Sequence, residues 1–160
     1  MNNLEYLTNV SLFNSLTEDE LRLMSVSLQN HTFKNGEKVI KKNEESDALY
    51  IIEEGGAKVC LKGPDGKEIL IDKLGKGQFF GEIGLLDGKP RTADVICTEP
   101  SKMLKLNRED FYNLAYQNPS ILQNLLVELC ERLRRADNLI QDSNIPPIDR
   151  SRLLSVLFYS

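Results

Sequence analysis

The sequence predicts a mainly β fold with flanking helices: a β jelly-roll (double-stranded β-helix) sandwich with N-terminal helices and a long C-terminal helix. Three observations predict this fold. Short apolar runs alternate with turn signals across residues 29–107. Apolar residues at helical spacing flank that region on both sides. No helical pattern of roughly 10–15 residues separates the short runs, which argues against βαβ units.

Residues 1–28 are predicted to be helical. Thr17 is followed three residues later by Glu20, ahead of apolar residues such as Leu21 and Met24. A threonine with a carboxylate at the third helical position is the pattern of a capping box, in which each side chain binds the other residue's backbone N–H. We therefore expect a helix that begins directly after Thr17.

Residues 29–107 form the predicted jelly roll. The apolar runs are short and end at Gly, Pro, Asn or Asp, with turns every 8–12 residues or so, as in β-sandwiches. The runs are Lys38-Val39-Ile40, Ala48-Leu49-Tyr50-Ile51-Ile52, Ala57-Lys58-Val59-Cys60-Leu61, Ile69-Leu70-Ile71, Asp94-Val95-Ile96-Cys97 and Met103-Leu104-Lys105-Leu106.

Residues 108–142 are predicted to be helical again, with Asn107 as the cap of the first helix. Pro119 suits the first turn of a long second helix. Apolar residues repeat along it at spacings of four and three: Leu122, Leu126, Leu129, Leu133, Ala136 and Ile140. This seam is typical of a helix that pairs with its copy in a dimer, and equally of one that lies on its own β domain. Residues 143–160 are a predicted tail with a short helix at 150–158.

Composition and charge exclude several classes of protein. The 160 residues fit one domain, and 41% hydrophobic with 28% charged residues is ordinary for a globular chain. A net charge of −4 argues against a free-standing nucleic-acid binder. No apolar stretch approaches the 18 or so residues of a membrane span, and the N-terminus lacks a signal-peptide pattern, so we expect a cytoplasmic protein without a membrane segment.

The reactive side chains argue against an enzyme. There is one histidine, His31, and the three cysteines are far apart: Cys60, Cys97 and Cys130. These numbers and spacings indicate neither a disulfide framework nor a zinc site, and they leave little for general-base catalysis. We expect no metal, no cofactor and no catalytic residue, with the thiols packed as small hydrophobes. A metal-dependent enzyme on a jelly-roll scaffold would need several histidine ligands.

The residues best suited to bind a ligand are concentrated in the segment 78–95. Gly81 permits a sharp turn after a strand, and residues 82–86 can form one helical turn whose N–H groups favour an anion. Arg91 suits a charge-assisted contact to phosphate, and Glu82 suits a sugar hydroxyl. The alternative is a glycine-rich hairpin with a surface Glu–Arg pair.

The same segment closely resembles the phosphate-binding cassette of the cyclic nucleotide-binding domain family. The matching residues are Phe80-Gly81-Glu82-Ile83-Gly84-Leu85-Leu86, followed by Pro90-Arg91-Thr92-Ala93-x-Val95. The family includes catabolite activator-type regulators, regulatory subunits of cyclic nucleotide-dependent kinases, and cyclic nucleotide-gated channels. The resemblance covers about residues 5–142. Asn43 stands where the family usually has glycine, and asparagine tolerates the positive φ of such a turn.

The resemblance implies a role for each matching residue. Glu82 accepts from the ribose 2′-hydroxyl, Arg91 and Thr92 hold the cyclic phosphate, and Arg132 on the long helix reaches Glu82. The implied ligand-binding set is Gly81, Glu82, Ile83, Gly84, Arg91, Thr92, Ala93, Val59, Ile71 and Arg132. Ala136-Asp137 replaces a Thr-Ser pair that touches the purine in catabolite activator-type regulators, so the choice between cAMP and cGMP stays open.

The expected function is therefore a regulatory sensor, with residues 1–142 as the cyclic nucleotide-binding domain and its C-terminal helices transmitting the binding event. The expected partners are a cyclic nucleotide and a second copy bound through residues 119–142. The alternative is the truncated sensory part of a catabolite activator-type transcription regulator. We expect no DNA binding by this chain, because no helix-turn-helix fits after residue 142. A dimerisation module with a decayed pocket is disfavoured because Glu82 and Arg91 are both present.

Overall fold

The computed structural model describes residues 3–141, so the helix expected at 150–158 lies outside the described residues. The N-terminal helices are α1 (Asn3–Leu7), a short 3-10 helix (Ser11–Phe13) and α2 (Glu18–Ser25). The predicted capping box of α2 is confirmed. Thr17 Oγ1 accepts from the Glu20 N–H at 3.3 Å, and Glu20 Oε2 accepts from the Thr17 N–H at 2.7 Å.

In the part of the chain that the structure describes, eight strands form two four-stranded antiparallel sheets, in the orders β1-β8-β3-β6 and β2-β7-β4-β5. The strands are β1 (Gln29–Phe33), β2 (Lys38–Ile40), β3 (Ala48–Glu54), β4 (Gly56–Lys62), β5 (Glu68–Gly75), β6 (Phe79–Phe80), β7 (Asp94–Cys97) and β8 (Ser101–Asn107). Most neighbours within a sheet are distant in sequence, which is the strand crossing of a jelly roll. The predicted fold class is confirmed.

The sheet that contains β3 and β6 lies between two apolar clusters. Leu49 and Ile51 of β3 pack with the helices, whereas the next residue, Ile52, packs between the two sheets. Phe79 and Phe80 of β6 divide in the same way. Since side chains alternate along a strand, one sheet supplies both cores and brings β6 to their boundary.

Three helices complete the described chain: α3 (Glu82–Asp87) between β6 and β7, then α4 (Arg108–Gln117) and α5 (Ser120–Gln141). Asn107 occupies the N-cap position of α4, but its side chain makes no capping hydrogen bond. The prediction of a side-chain cap is wrong here because Asn107 is still part of β8, where it pairs with Ala48. No helix within residues 3–141 has the length and apolar character to cross a bilayer.

The long helix α5 presents two different faces. Ile121, Leu125 and Ala136 are buried against the domain. Of the predicted seam, Leu122, Leu126 and Leu133 are 38%, 62% and 43% exposed, whereas Leu129 is partly buried in the helix-side cluster.

The prediction that one uniform seam runs along α5 is therefore wrong at Ala136. A stripe that repeats every 3.5 residues drifts by roughly 20° per heptad around a helix of 3.6 residues per turn. Ala136 has consequently moved onto the inward face. The side chain of Ile140 lies outside the described residues. Among the thiols, Cys60 and Cys97 are buried as expected, but Cys130 is exposed on α5.

The capping box of α2 gives a test of local stability. Replacing Thr17 by Ala removes the acceptor of the Glu20 N–H, and we expect the free energy of unfolding to fall by about 1 kcal/mol. Thr17→Ser keeps the hydroxyl and is the matched control. Urea denaturation followed by circular dichroism measures both. Equal losses in the two variants would contradict a role for the hydroxyl in capping.

Candidate functional site

The cassette, residues 78–95, turns sharply after β6. Gly81 has φ +90°, in the left-handed region that favours glycine. A Cβ built on Gly81 would lie 2.8 Å from Arg91 Nη1 and 3.0 Å from the Ala48 carbonyl oxygen. Both the backbone conformation and the approach of Arg91 therefore require glycine at this position.

Gly84, on α3, has a packing role as well. A Cβ at Gly84 would collide with the side chain of Ser46, which belongs to the loop between β2 and β3. Ser46 is buried, and its hydroxyl has no hydrogen-bond partner among the described residues. The absence of a side chain at Gly84 thus admits Ser46, in addition to the close approach of a ligand that the family resemblance implies.

Arg91 is buried beside the Gly81 turn. Its Nη1 donates to the Gly81 carbonyl at 2.8 Å, and its Nη2 donates to the Ala48 carbonyl at 2.6 Å. These bonds use two of the five N–H donors of a guanidinium. Burial lowers the pKa of Arg91, and the nearby Asp47 acts in the opposite direction. The side chain is a fixed, partly desolvated cation at the turn of the cassette.

Glu82, the first residue of α3, forms a buried ion pair with Arg132 of α5; the exposed fractions of the two side chains are 0% and 2%. Arg132 Nη1 donates to Glu82 Oε1, and Nη2 donates to the Phe79 carbonyl at 2.7 Å. Nε donates to Glu128 Oε1 at 3.0 Å. The guanidinium also lies 5.0 Å from the centroid of the Phe79 ring. One arginine therefore attaches α5 to both β6 and α3.

The second carboxylate oxygen of Glu82 is not part of this ion pair. Oε2 is buried and has no hydrogen-bond partner among the described residues. Burial raises the pKa of Glu82 to about 7, although Arg132 lowers it. Buried polar atoms are nearly always hydrogen-bonded, so an unpartnered carboxylate oxygen inside a domain is an acceptor available to a ligand.

A cavity of about 510 Å³ opens beside the cassette. It is lined by Lys42, Asn43, Leu61, Lys62, Gly63, Pro64, Pro90, Arg91 and Thr92. Three of these side chains are cationic and none is a carboxylate. The cavity therefore suits an anion, with Arg91 at its inner wall.

The residues that the resemblance assigned to the ligand occupy three environments. Arg91 and Thr92 line the cavity, whereas Gly81, Glu82 and Gly84 are buried behind it. Val59 and Ala93 are buried between the sheets, with Ile71 packed against the same cluster. Ile83 is half-buried on α3, and Arg132 covers Glu82 from α5.

The loop that follows β2 lines the cavity, although the sequence did not include it in the candidate site. Asn43 has φ +71°, which confirms the expected positive φ. Its N–H donates to the Arg91 carbonyl at 2.8 Å, and the Arg91 N–H donates to the Glu44 carbonyl at 2.9 Å. Lys42 therefore reaches the cavity through a backbone pairing that no motif within the cassette could predict. Within residues 3–141, no group of three His, Cys, Asp or Glu side chains is placed to hold a metal ion.

Comparison with known proteins places this geometry in a family. A family model described as the cyclic nucleotide-binding domain matches residues 30–118. The CRP-like cAMP-activated global transcriptional regulator of Mycobacterium tuberculosis is 30% identical over 138 residues, which cover 86% of this chain and 62% of that protein. The chain thus spans about three fifths of the length of this relative.

Two solved structures are similar in fold and in sequence. The catabolite activator protein of Thermus thermophilus has a TM-score of 0.75 at 30% identity, covering 82% of this chain and 62% of that one. The regulatory subunit of a cAMP-independent protein kinase A from Trypanosoma brucei has a TM-score of 0.69 at 29% identity, covering 78% and 46%. With the family match over more than half of its length, the chain belongs to the cyclic nucleotide-binding domain family.

Proposed function

We propose that this domain binds a cyclic nucleotide, cAMP or cGMP, without chemical conversion and transmits binding through α4 and α5. The observation that carries the proposal is the Glu82 carboxylate. One of its oxygens is bound by Arg132, and the other is buried without a partner. A ribose hydroxyl is a donor of the right kind for that second oxygen, since a charge-assisted hydrogen bond would satisfy it.

The phosphate of the nucleotide would bind in the cationic cavity beside the cassette. Arg91 retains N–H donors beyond the two that bind carbonyls, and with Thr92 it lines the cavity. Lys42 and Lys62 add positive charge at the mouth of the cavity. Gly81, Ile83 and Gly84 would offer backbone, and Val59, Ile71 and Ala93 apolar contact. A cyclic nucleotide supplies a group for each part of this arrangement: a phosphate for the cations, a ribose hydroxyl for Glu82 and a flat base for the apolar side chains.

Names of relatives support cAMP as the first ligand to test. One is a cAMP-activated regulator, whereas another is the regulatory subunit of a cAMP-independent kinase. Members of similar fold thus differ in their dependence on cAMP, and cGMP is the second ligand to test. A second candidate function is the sensory part of a catabolite activator-type transcription regulator, which the match to the mycobacterial regulator supports.

Calorimetric titration with cAMP, cGMP and 5′-AMP tests the binding function. We expect one of the cyclic nucleotides to bind much more tightly than 5′-AMP, whose open phosphate carries extra charge. Arg91→Ala should weaken that binding by about 30-fold to several thousand-fold, because it removes one partner of a desolvated charge pair. Arg22→Ala, which changes an exposed arginine of α2, should leave affinity unchanged. Affinity within threefold of the parent in Arg91→Ala would contradict the assignment.

Ionisation of Glu82 should couple binding to pH. In the free protein the pKa of Glu82 is about 7, above its unfolded value of 4.5, so the native state holds this proton more tightly. The stability contributed by that proton is present at low pH and is lost as pH rises through 7. A ribose hydroxyl that donates to Glu82 favours the carboxylate and lowers its pKa, so binding releases a proton.

Affinity for the cyclic nucleotide should therefore rise between pH 5.5 and 8, by up to about tenfold for each unit by which binding lowers the pKa of Glu82. Glu82→Gln removes the titrating group, and its affinity should be lower than the parent's at pH 8 and nearly independent of pH. Calorimetry in buffers of different ionisation enthalpy counts the released protons. A pH dependence that persists in Glu82→Gln would assign the proton to another group.

We also propose that residues 119–142 pair with a second copy as parallel helices. Leu122, Leu126 and Leu133 form an exposed apolar stripe on α5, on a different face from the buried Ile121 and Leu125. Helix α5, with 22 residues, is about 33 Å long at 1.5 Å per residue, and its domain leaves these three leucines exposed. Exposed leucines four and seven residues apart lie along one side of a helix and fit the seam that such a pairing needs.

Substitution on the stripe tests this pairing. Leu126→Glu or Leu133→Glu would place a charge inside the paired seam, and we expect monomers that still bind the nucleotide. Leu23→Glu is the control, because Leu23 is 72% exposed on α2, away from the seam. Sedimentation velocity at tens-of-micromolar concentration measures the state of each variant. A parent that sediments as a monomer with and without nucleotide would refute the pairing.

A further inference from the structure

We propose that Arg108, the first residue of α4, is a positioning residue that holds α3 in place for the nucleotide and links it to α4. This inference rests on the proposed function, because the role of α3 is to present Glu82 and the Gly81 turn to the ligand. Arg108 lies outside the cassette, 24 residues after Gly84 in the chain, and it does not line the cavity beside Arg91.

The contact is made to the carbonyl end of α3. Arg108 Nε donates to the Leu85 carbonyl at 2.7 Å, and Nη2 donates to the Gly84 carbonyl at 3.1 Å. One turn later on α4, the Tyr112 hydroxyl donates to the Leu86 carbonyl at 3.4 Å. The last carbonyls of a helix have no partner within the helix, and an arginine can satisfy them. The Gly84 carbonyl also accepts from the Gly88 N–H at 2.9 Å. In a helix of six residues, these bonds account for half of the backbone acceptors.

Arg108 is itself fixed in place. Its backbone N–H donates to the Asp47 carbonyl at 2.9 Å, next to Ala48, whose carbonyl binds Arg91. Gly88, which follows α3, has φ +71°, and a Cβ there would lie 3.1 Å from Arg108 Nη2. Glycine at this position thus provides the space in which the guanidinium lies. Arg91 binds the Gly81 carbonyl just before α3, Arg108 binds carbonyls within α3, and both residues also bond to the adjacent carbonyls of Asp47 and Ala48.

The C-terminal helices therefore hold α3 at both of its ends. Arg132 of α5 binds the side chain of Glu82, the first residue of α3, whereas Arg108 of α4 binds carbonyls near its last residue. Only Asn118 and Pro119 separate α4 from α5. Any movement of α3 on ligand binding must then move α4 or break the bonds to Arg108. Arg108 should for this reason affect both the affinity for nucleotide and the response of the helices.

Arg108→Met tests the role, because methionine keeps an unbranched stem and removes the N–H donors. The full chain is titrated with whichever of cAMP and cGMP the parent binds, and amide hydrogen exchange is measured with and without that nucleotide. We expect affinity to fall by about tenfold, as for the loss of charge-assisted hydrogen bonds. Exchange in α3 should rise in the free protein, and the nucleotide-induced protection of α4 and α5 should shrink. Arg22→Met, on α2, is the matched control.

A conservative variant separates positioning from folding. Arg108→Lys keeps the charge and can donate to one of the two carbonyls, so its affinity should lie between those of the parent and Arg108→Met. If Arg108→Met does not fold by circular dichroism, Arg108→Lys decides: weaker affinity with reduced protection of α4 and α5 supports the role. Parent-like affinity and protection in a folded Arg108 variant would overturn this inference while leaving the proposed function intact. A parent that binds neither nucleotide would overturn the proposed function.

Discussion

The attachment of α5 to the cassette depends on one buried ion pair, between Glu82 and Arg132. Removing two charges from water costs several kcal/mol per ion, so such a pair is most stable where its remaining donors and acceptors are also satisfied. The Phe79 carbonyl and Glu128 satisfy further donors of Arg132, but one oxygen of Glu82 is left over. The contact that attaches α5 is therefore incomplete at the very atom that a ligand hydroxyl would reach. Under the proposed function, ligand binding and the position of α5 would share this carboxylate.

The short helix α3 lies at the boundary of the two apolar cores and makes several polar contacts near that ion pair. Phe79 and Phe80 enter different cores and leave Gly81 at the edge of both. Three arginines then contact this segment: Arg91 of the same cassette at the Gly81 carbonyl, Arg132 of α5 at Glu82 and Arg108 of α4 at the last turn of α3. These directional bonds all hold one short helix, so its position is well defined. A change at one contact should therefore alter the geometry of the other two.

The sequence allowed α5 either to pair with a second copy or to pack on its own β domain, and each alternative describes one face of the helix. Its inward face, with Leu125 and Ala136, packs on its own domain, while Leu126 and Leu133 stay exposed. A helix has room for both faces because its side chains are distributed around a cylinder. The ion pair through Arg132 fixes the rotation of α5, and that rotation decides which leucines face away from the domain. Attachment of α5 to the cassette and presentation of the exposed stripe are thus set by the same geometry.

The sequence alone determined the features that depend on neighbouring residues. These are the alternating strands, the Thr17 capping box, the positive φ of Asn43 and the motif from Phe80 to Val95, because a turn, a cap or a strand is decided within a few residues. It did not determine that Asn107 leaves its cap unmade, that Ala136 turns inward, or that Ser46 fills the space above Gly84. Nor did it place Arg108 on the carbonyls of α3. Those outcomes join residues tens of positions apart, and only the packing of the two sheets and the rotation of α4 and α5 bring such residues within hydrogen-bond distance.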